Sequence, residues 1–284
     1  MTLQRREFLA RMVMVAALGA PARADDAVLS FGLTPVFLTN DQELLTLIRG
    51  YLEEALGARV ELVQRRTYQE ITAMLLAGQI DAAWICGYPY VRHRDDFALL
   101  AVPIWRGQPL YQSYLIGRPT GDEGSLADLR GEIHAFSDPD SNSGYLVTTA
   151  ALAAMGTSPQ AFFGRSFFTY GHRNVVRAVA SGLAQSGSVD GYVWEALTVA
   201  EPALPAATRV VARSEWLGFP PIACLRDRAE SPQMRALADA LERMGQSPQG
   251  RAVLALLQLD GFQRAEPDLF DGIAALARTV DQRG

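Results

Sequence analysis

The sequence predicts an α/β protein in two lobes with a cleft between them, each lobe a mixed, mostly parallel sheet flanked by helices. Three observations predict it. Apolar runs of strand length alternate with segments of helical period from residue 28 to the C-terminus, the pattern of strands joined by crossover helices. Residues 25–284 suffice for two units of ordinary domain size. A second series of strands and helices sits inside the first, so residues 25–116 and 214–284 form one lobe, 117–213 form the other, and the chain crosses between them twice. Loops at the carboxyl ends of parallel strands then face the cleft.

The N-terminus stands apart from this pattern. Gln4-Arg5-Arg6-Glu7-Phe8-Leu9 precedes a short apolar run, 12–20, and the small-residue site Ala22-Arg23-Ala24. These are the marks of a twin-arginine export signal cleaved after Ala24. The run is too short to span a bilayer, and no later segment reaches the roughly 18 apolar residues a span needs. A soluble periplasmic product is expected.

The elements follow in order. Residues 28–33 read as a first strand. Over 41–56, apolar residues at 44, 45, 47, 48, 52, 55 and 56 mark an amphipathic helix ended by Gly57. A strand over 60–63, a helix over 68–76 stopped by Gly78, and an apolar strand over 82–86 complete the first unit. Strands over 98–104 and 110–116 lead out of it. The second unit has strands over 133–136, 167–170 and 189–193, helices after Ser143, over 173–180 and after Trp194, and a strand over 209–212. Residues 220–225 are a return strand with proline at its start, where a missing N–H is tolerated. Helices over 231–244, 248–256 and 267–278 close the chain.

The turn Phe136-Ser-Asp-Pro-Asp-Ser-Asn-Ser-Gly-Tyr145 joins a strand to a helix and is the most informative piece. Pro139 stops the strand, and Ser141, Asn142 and Ser143 are all residues that cap helices. Gly144 admits close approach to the backbone. The first amides of a helix lack internal partners and carry partial positive charge. Three polar side chains beside such amides make either an ordinary cap or a seat for a small oxyanion.

Charge narrows the function. All 26 basic residues are arginine, against 31 acids; removal of residues 1–24 leaves 22 against 30, a net charge of −8. An acidic chain without a basic cluster is a poor nucleic-acid binder. The absence of lysine excludes Schiff-base and P-loop lysine chemistry. Ser143 and His172 could be cast as nucleophile and base, but no acid partner, G-x-S-x-G, H-E-x-x-H or paired C-x-x-C accompanies them. No enzyme, metal or cofactor is therefore expected. Cys86 and Cys224 are expected free and mostly buried, with a disulfide or a ligand contact as alternatives.

Several motifs in sequence order resemble the periplasmic substrate-binding proteins of phosphonate, phosphite and phosphate ABC transporters. They are Phe31-Gly-Leu-Thr34, Gly78-Gln-Ile-Asp81-Ala-Ala-Trp84, Ser137 to Leu146, Gly171-His172, Val189-Asp190 and Pro221-Ile222. The resemblance covers nearly the whole chain after the signal and implies a type II periplasmic-binding fold. Ser141, Asn142 and Ser143 fall on positions that hold phosphonate oxygens, and His172 on an anion-contacting histidine. An imidazole donor opposite the helix start would complete a shell around the anion. Thr34, Gly144, Tyr145, Cys86, Tyr88 and Trp194 are further candidates; Tyr88, Tyr90, Tyr145, Tyr192 and Trp194 either line the cleft or pack the core.

Departures from the family pattern also inform. Positions where aminophosphonate binders place carboxylates fall here on Trp194 or Glu195 and on Pro220, which argues against an aminophosphonate. The expected role is a monomeric receptor that captures phosphate, phosphite or a simple phosphonate and presents it to an ABC permease. The alternative is a sensory receptor reporting arsenite or another oxyanion to a membrane histidine kinase, with the soft Cys86 thiolate as the distinguishing group.

Overall fold

The computed structural model describes residues 28–34 and 42–282; the proposed signal and its cleavage site lie outside the described residues. The first sheet runs, in spatial order, Gly261–Gln263, Phe97–Ile104, Ile222–Leu225, Ala82–Trp84, Val28–Leu33 and Arg59–Gln64. The second runs Arg209–Arg213, Ser113–Gly117, Ser186–Asp190, Ile133–Phe136 and Arg165–Phe168. Apart from the added Gly261–Gln263 edge, both lobes share one order. The unit's first strand lies between its second and third, and a strand from beside the crossing inserts next to the third.

The parallel pairs sit in one half of each sheet, joining Val28–Leu33 to both neighbours and Ile133–Phe136 to both of its own. The strands next to the crossings pair antiparallel. They do so because a chain that leaves a lobe and returns beside itself must run the opposite way. Leu110–Tyr111 and Leu217–Gly218 pair as a two-stranded ribbon at the crossing. Ser113 and Ser214 are tied there by backbone and side-chain bonds, and Gln112 Nε2 donates to Ser214 O.

Local chemistry explains most element ends. Thr67 and Glu70 form a reciprocal capping box at the start of Tyr68–Leu76. Gly57 and Gly78, both at positive φ, follow the first two helices. Several sequence boundaries move: the strands expected at 82–86, 167–170 and 220–225 are Ala82–Trp84, Arg165–Phe168 and Ile222–Leu225, and two further shifts bear on the site. Ser113–Gly117 hydrogen-bonds within the second sheet, so the outward crossing falls at Gln112 instead of after 116. The strand expected at 189–193 is Ser186–Asp190, and a helix begins at Gly191. The Asp190 carboxylate accepts the Val193 N–H and caps that helix, converting an apolar run that reads as a strand. A short helix, Gly87–Arg92, was not foreseen; Cys86 stands at its N-cap.

Candidate functional site

The polar turn opens not on a regular α-helix but on a π turn, Asn142–Leu146, continuous with the α-helix Val147–Ala154. Leu146 N–H reaches back to Ser141 O at 2.9 Å, and the Val147 N–H to Asn142 O. The extra residue widens the first turn, a distortion often found at functional sites. Ser141 Oγ accepts the Gly144 N–H at 2.9 Å. A Cβ on Gly144 would lie 1.8 Å from Ser137 Oγ and 3.0 Å from His172 Cε1, so only glycine lets those two groups close on the tip.

Both lobes contribute to the surroundings. The Asn142 N–H donates to Cys86 Sγ at 3.2 Å. Asn142 Nδ2 donates to the Tyr111 hydroxyl at 2.8 Å, and Tyr68 N–H donates to Asp138 Oδ2 at 3.2 Å. Tyr68 Oη lies 3.1 Å from His172 Nε2. Ser113 Oγ donates to Ser143 O at 2.6 Å. Every one of these residues is buried.

The imidazole can be assigned. Burial holds His172 neutral, with its pKa lowered to about 3. The Asp190 N–H donates to Nδ1 at 3.1 Å. The ring hydrogen therefore sits on Nε2 and is donated to Tyr68 Oη, which leaves the Tyr68 hydroxyl hydrogen available to another acceptor. Burial raises the Tyr68 and Tyr111 phenols well above their ordinary value, so both remain neutral donors. Burial likewise pushes the Cys86 thiol up to about 12 and the Asp190 carboxyl up to about 7.

Four buried side-chain atoms around this tip have no hydrogen-bond partner: Ser137 Oγ, Asn142 Oδ1, Ser143 Oγ and Asp190 Oδ2. Ser143 Oγ neighbours the Tyr111 hydroxyl without meeting hydrogen-bond geometry. Buried polar atoms are nearly always paired, and each one left alone costs about 1–3 kcal/mol. A cluster of them in a cleft marks the place a polar guest would occupy.

Residues 31–270 match the family described as "ABC transporter, phosphonate, periplasmic substrate-binding protein". The chain belongs to this family. The matched span holds the whole cluster around the tip. A phosphate-import protein, PhnD, of Mycolicibacterium smegmatis is 30% identical over 148 residues, 48% of this chain and 46% of that protein. The chain thus spans about half the length of that curated relative. Two solved structures share the fold. The binding-protein component of a phosphonate ABC transporter from Pseudomonas aeruginosa superposes with a TM-score of 0.82 at 23% identity, covering 92% of this chain and 90% of that one. PhnD1 of Prochlorococcus marinus, in complex with methylphosphonate, gives 0.78 at 17%, covering 90% and 98%. The two-lobed α/β architecture is that of the type II periplasmic-binding proteins.

Against this family background the candidate residues divide. Ser141, Asn142, Ser143, Gly144, His172 and Cys86 come together at the tip. Thr34 ends the first strand on the opposite wall, buried, with its hydroxyl donated to Trp84 O at 3.1 Å. Three candidates go elsewhere. The Tyr145 ring packs 5.1 Å from Phe136 and 5.2 Å from Phe168, inside the second lobe. Trp194 Nε1 donates to Thr208 Oγ1 at 3.0 Å and its ring lies on Tyr114. Tyr88 lines a separate groove of about 350 Å³ with Arg92, His93 and Asp140.

His172 differs from expectation in its partners. It stands on the same lobe as the tip, and both ring nitrogens are engaged by the protein. The group that crosses the cleft is Tyr68. Cys86 is a protonated acceptor for a backbone amide, and no disulfide joins it to Cys224, since both are free and buried. Tyr68, Tyr111, Ser113, Ser137 and Asp190 were not among the candidates. The Thr67–Glu70 capping box and the Val189-Asp190 motif were the signals that could have pointed to Tyr68 and Asp190.

Proposed function

We propose that this chain is the periplasmic receptor of an ABC transporter and captures a small phosphorus oxyanion: phosphate, phosphite or a simple phosphonate. The observation that carries this is the set of partnerless buried atoms around the π turn, met from the other lobe by the Tyr68 hydroxyl. Ser137, Ser143 and Tyr68 can each give a hydrogen to an anion oxygen, and none carries a charge that would have to be desolvated. Capture needs no bond to be made or broken. Several charge-assisted hydrogen bonds in a closed cleft can supply the roughly 8 kcal/mol of a micromolar complex.

Closure follows from contacts that only the joined lobes possess. Tyr68–His172, Asn142–Cys86 and Tyr68–Asp138 all bridge them near the tip. Farther out, Tyr192 Oη donates to Leu257 O, and Arg106 pairs with Glu195 at 3.1 Å. A guest that adds bonds to both walls favours the closed arrangement, which a permease can then recognise. The names of the phosphate-import relative and of the methylphosphonate complex support the same ligand class. Glu195, bonded to Arg106 and to the Tyr114 hydroxyl, has no free oxygen for a ligand ammonium, and Pro220 has no carboxylate.

Export by the twin-arginine route and action as a monomer belong to the same proposal. Calorimetry of the purified protein with phosphate, phosphite and methylphosphonate tests the ligand class. Micromolar or tighter binding of at least one is expected, and no heat from any of the three sinks it. Mass spectrometry of the periplasmic protein should find Asp25 at its N-terminus.

A further inference from the structure

Asp190 is the one carboxylate among the partnerless atoms at the tip. Its position follows from the sheet. Asp190 pairs directly with Ser113 across an antiparallel ladder, so their side chains share a face. That face meets the tip helix, because Ser113 Oγ bonds Ser143 O and Ser188, two residues before Asp190, bonds Thr148 through its hydroxyl at 2.6 Å. Oδ1 of Asp190 is used by the Val193 N–H at 3.3 Å. Oδ2 is buried and has no partner.

Among the described residues no cation balances this carboxyl. The groups that act on it are the Val193 and Tyr192 amides, the neutral His172 from the preceding helix, Tyr68 and Cys86 from the other lobe, Tyr111 at the crossing and the Tyr192 ring on the helix it caps. Asp138, the next buried carboxyl, already accepts from the Tyr68 and Asp140 amides. A fully deprotonated anion placed on the tip would meet the bare Oδ2 with like charge and no hydrogen between them. An oxyanion that retains one hydrogen would instead give it to Oδ2.

We propose that Asp190 selects its guest by a proton: one hydrogen is shared between Oδ2 and an oxygen of the phosphorus oxyanion, and oxyanions with no hydrogen to share are refused. The inference rests on the oxyanion reading and narrows it to hydrogen-bearing phosphate and phosphonate over sulfate. The bound state is the same whether the proton arrives on the ligand or on the carboxyl, since P–O–H with carboxylate and P–O⁻ with carboxylic acid are two descriptions of one hydrogen bond. A doubly ionised phosphonate has no hydrogen left, so above the pH at which it and the carboxyl are both ionised, binding must take one up from solvent; the phosphate dianion still brings its own. Affinity for the phosphonate then weakens about tenfold per pH unit.

The test is calorimetry of the purified protein with phosphate, methylphosphonate, sulfate and 2-aminoethylphosphonate between pH 6 and 9, on wild type and Asp190→Asn. The amide keeps the Oδ1 acceptor for Val193 and replaces the proton-accepting oxygen by a donor. Wild type should prefer phosphate to sulfate by at least ~100-fold, from the cost of an unpaired buried charge, and should lose affinity for methylphosphonate in alkali while phosphate, whose dianion keeps one hydrogen, holds its affinity over this range. Asp190→Asn should bring that ratio below about tenfold and flatten the alkaline slope. Equal wild-type affinity for sulfate and phosphate overturns the proposal while leaving the oxyanion reading intact, as does a variant that keeps the wild-type ratio and slope. A strong preference for 2-aminoethylphosphonate lost in Asp190→Asn also overturns it, since the carboxylate would then serve an ammonium. If the variant fails to fold, the wild-type sulfate ratio and pH slope still decide. Absence of binding by every anion sinks both readings together.

Discussion

The two walls of the cleft are built on opposite terms. On the first-lobe wall Thr34 donates to Trp84 O, Tyr68 accepts from His172 and the Cys86 sulfur takes the Asn142 N–H. On the second-lobe wall Ser137, Asn142, Ser143 and Asp190 each keep a buried polar atom without a partner. All seven such atoms among the described residues lie between Glu132 and Arg209, in the second lobe. One wall, the Tyr68 hydroxyl hydrogen apart, is satisfied within the protein; the other is left short of partners, which the proposed anion would supply. On the proposed reading, binding affinity and folding stability depend on different walls of one cleft.

That contrast breaks first at Ser143. Ser143→Ala removes a donor that a bound anion would use but that the folded chain does not. Phosphate binding should weaken by about 1.5–3 kcal/mol, while unliganded stability holds or rises because an orphan hydroxyl is gone. Titration calorimetry beside thermal unfolding reads both. A parallel loss of stability would place Ser143 among the structural bonds instead.

Tyr68→Phe should carry the opposite signature. Loss of the hydroxyl leaves the His172 Nε2 hydrogen buried and unpaired, so the unliganded protein should lose about 1–3 kcal/mol on urea unfolding. Phosphate affinity should fall by about tenfold or less. Unchanged stability would mean that the Tyr68–His172 bond does not hold the lobes together.

The two buried histidines sharpen the comparison in pH. His134 lies behind the cleft between Ser186 Oγ and Ser188 Oγ, both at 2.9 Å, and burial lowers it, like His172, to about 3. In the unfolded chain each takes up a proton near pH 6.5 that the native ring refuses. Their support is full above 6.5 and drains away as pH falls toward 3. Asp190, raised to about 7, acts the other way: its contribution is greatest below the ordinary carboxylate range and fades as pH rises through 7. His134→Gln should thus make the acid loss of stability shallower by about 1.4 kcal/mol per pH unit between 6 and 4. It should leave phosphate affinity unchanged. A slope equal to wild type would show that His134 titrates normally in the folded protein.

The smallest effect is expected at Cys86. A serine there can still accept the Asn142 N–H, so Cys86→Ser should alter phosphate affinity by less than about threefold. A large loss would make the sulfur itself a ligand contact.

Much of this was legible in the chain. The helix over Tyr68–Leu76 and the strand Val28–Leu33 were placed to the residue, because apolar period, a capping box and a glycine stop are written within a few positions. The Ser141–Gly144 turn stood out by residue type, as either an ordinary cap or an anion seat, and the structure gives it the π turn Asn142–Leu146. The outward crossing at Gln112 was missed, since an apolar strand reads alike in either sheet. Asp190 was missed as a site residue because a cap that ends a strand leaves no period of its own.

The amino-acid order by itself determined the alternation of strands and helices, the insertion of one unit within the other and the polar turn, because each depends on neighbours a few residues away. Only the tertiary structure decided that Tyr68 meets His172 from 104 residues off, that Cys86 caps Asn142 from 56, and that Asp190 keeps one oxygen bare. Those outcomes depend on how two lobes close, and burial then fixes which polar groups find partners and which are left for a guest.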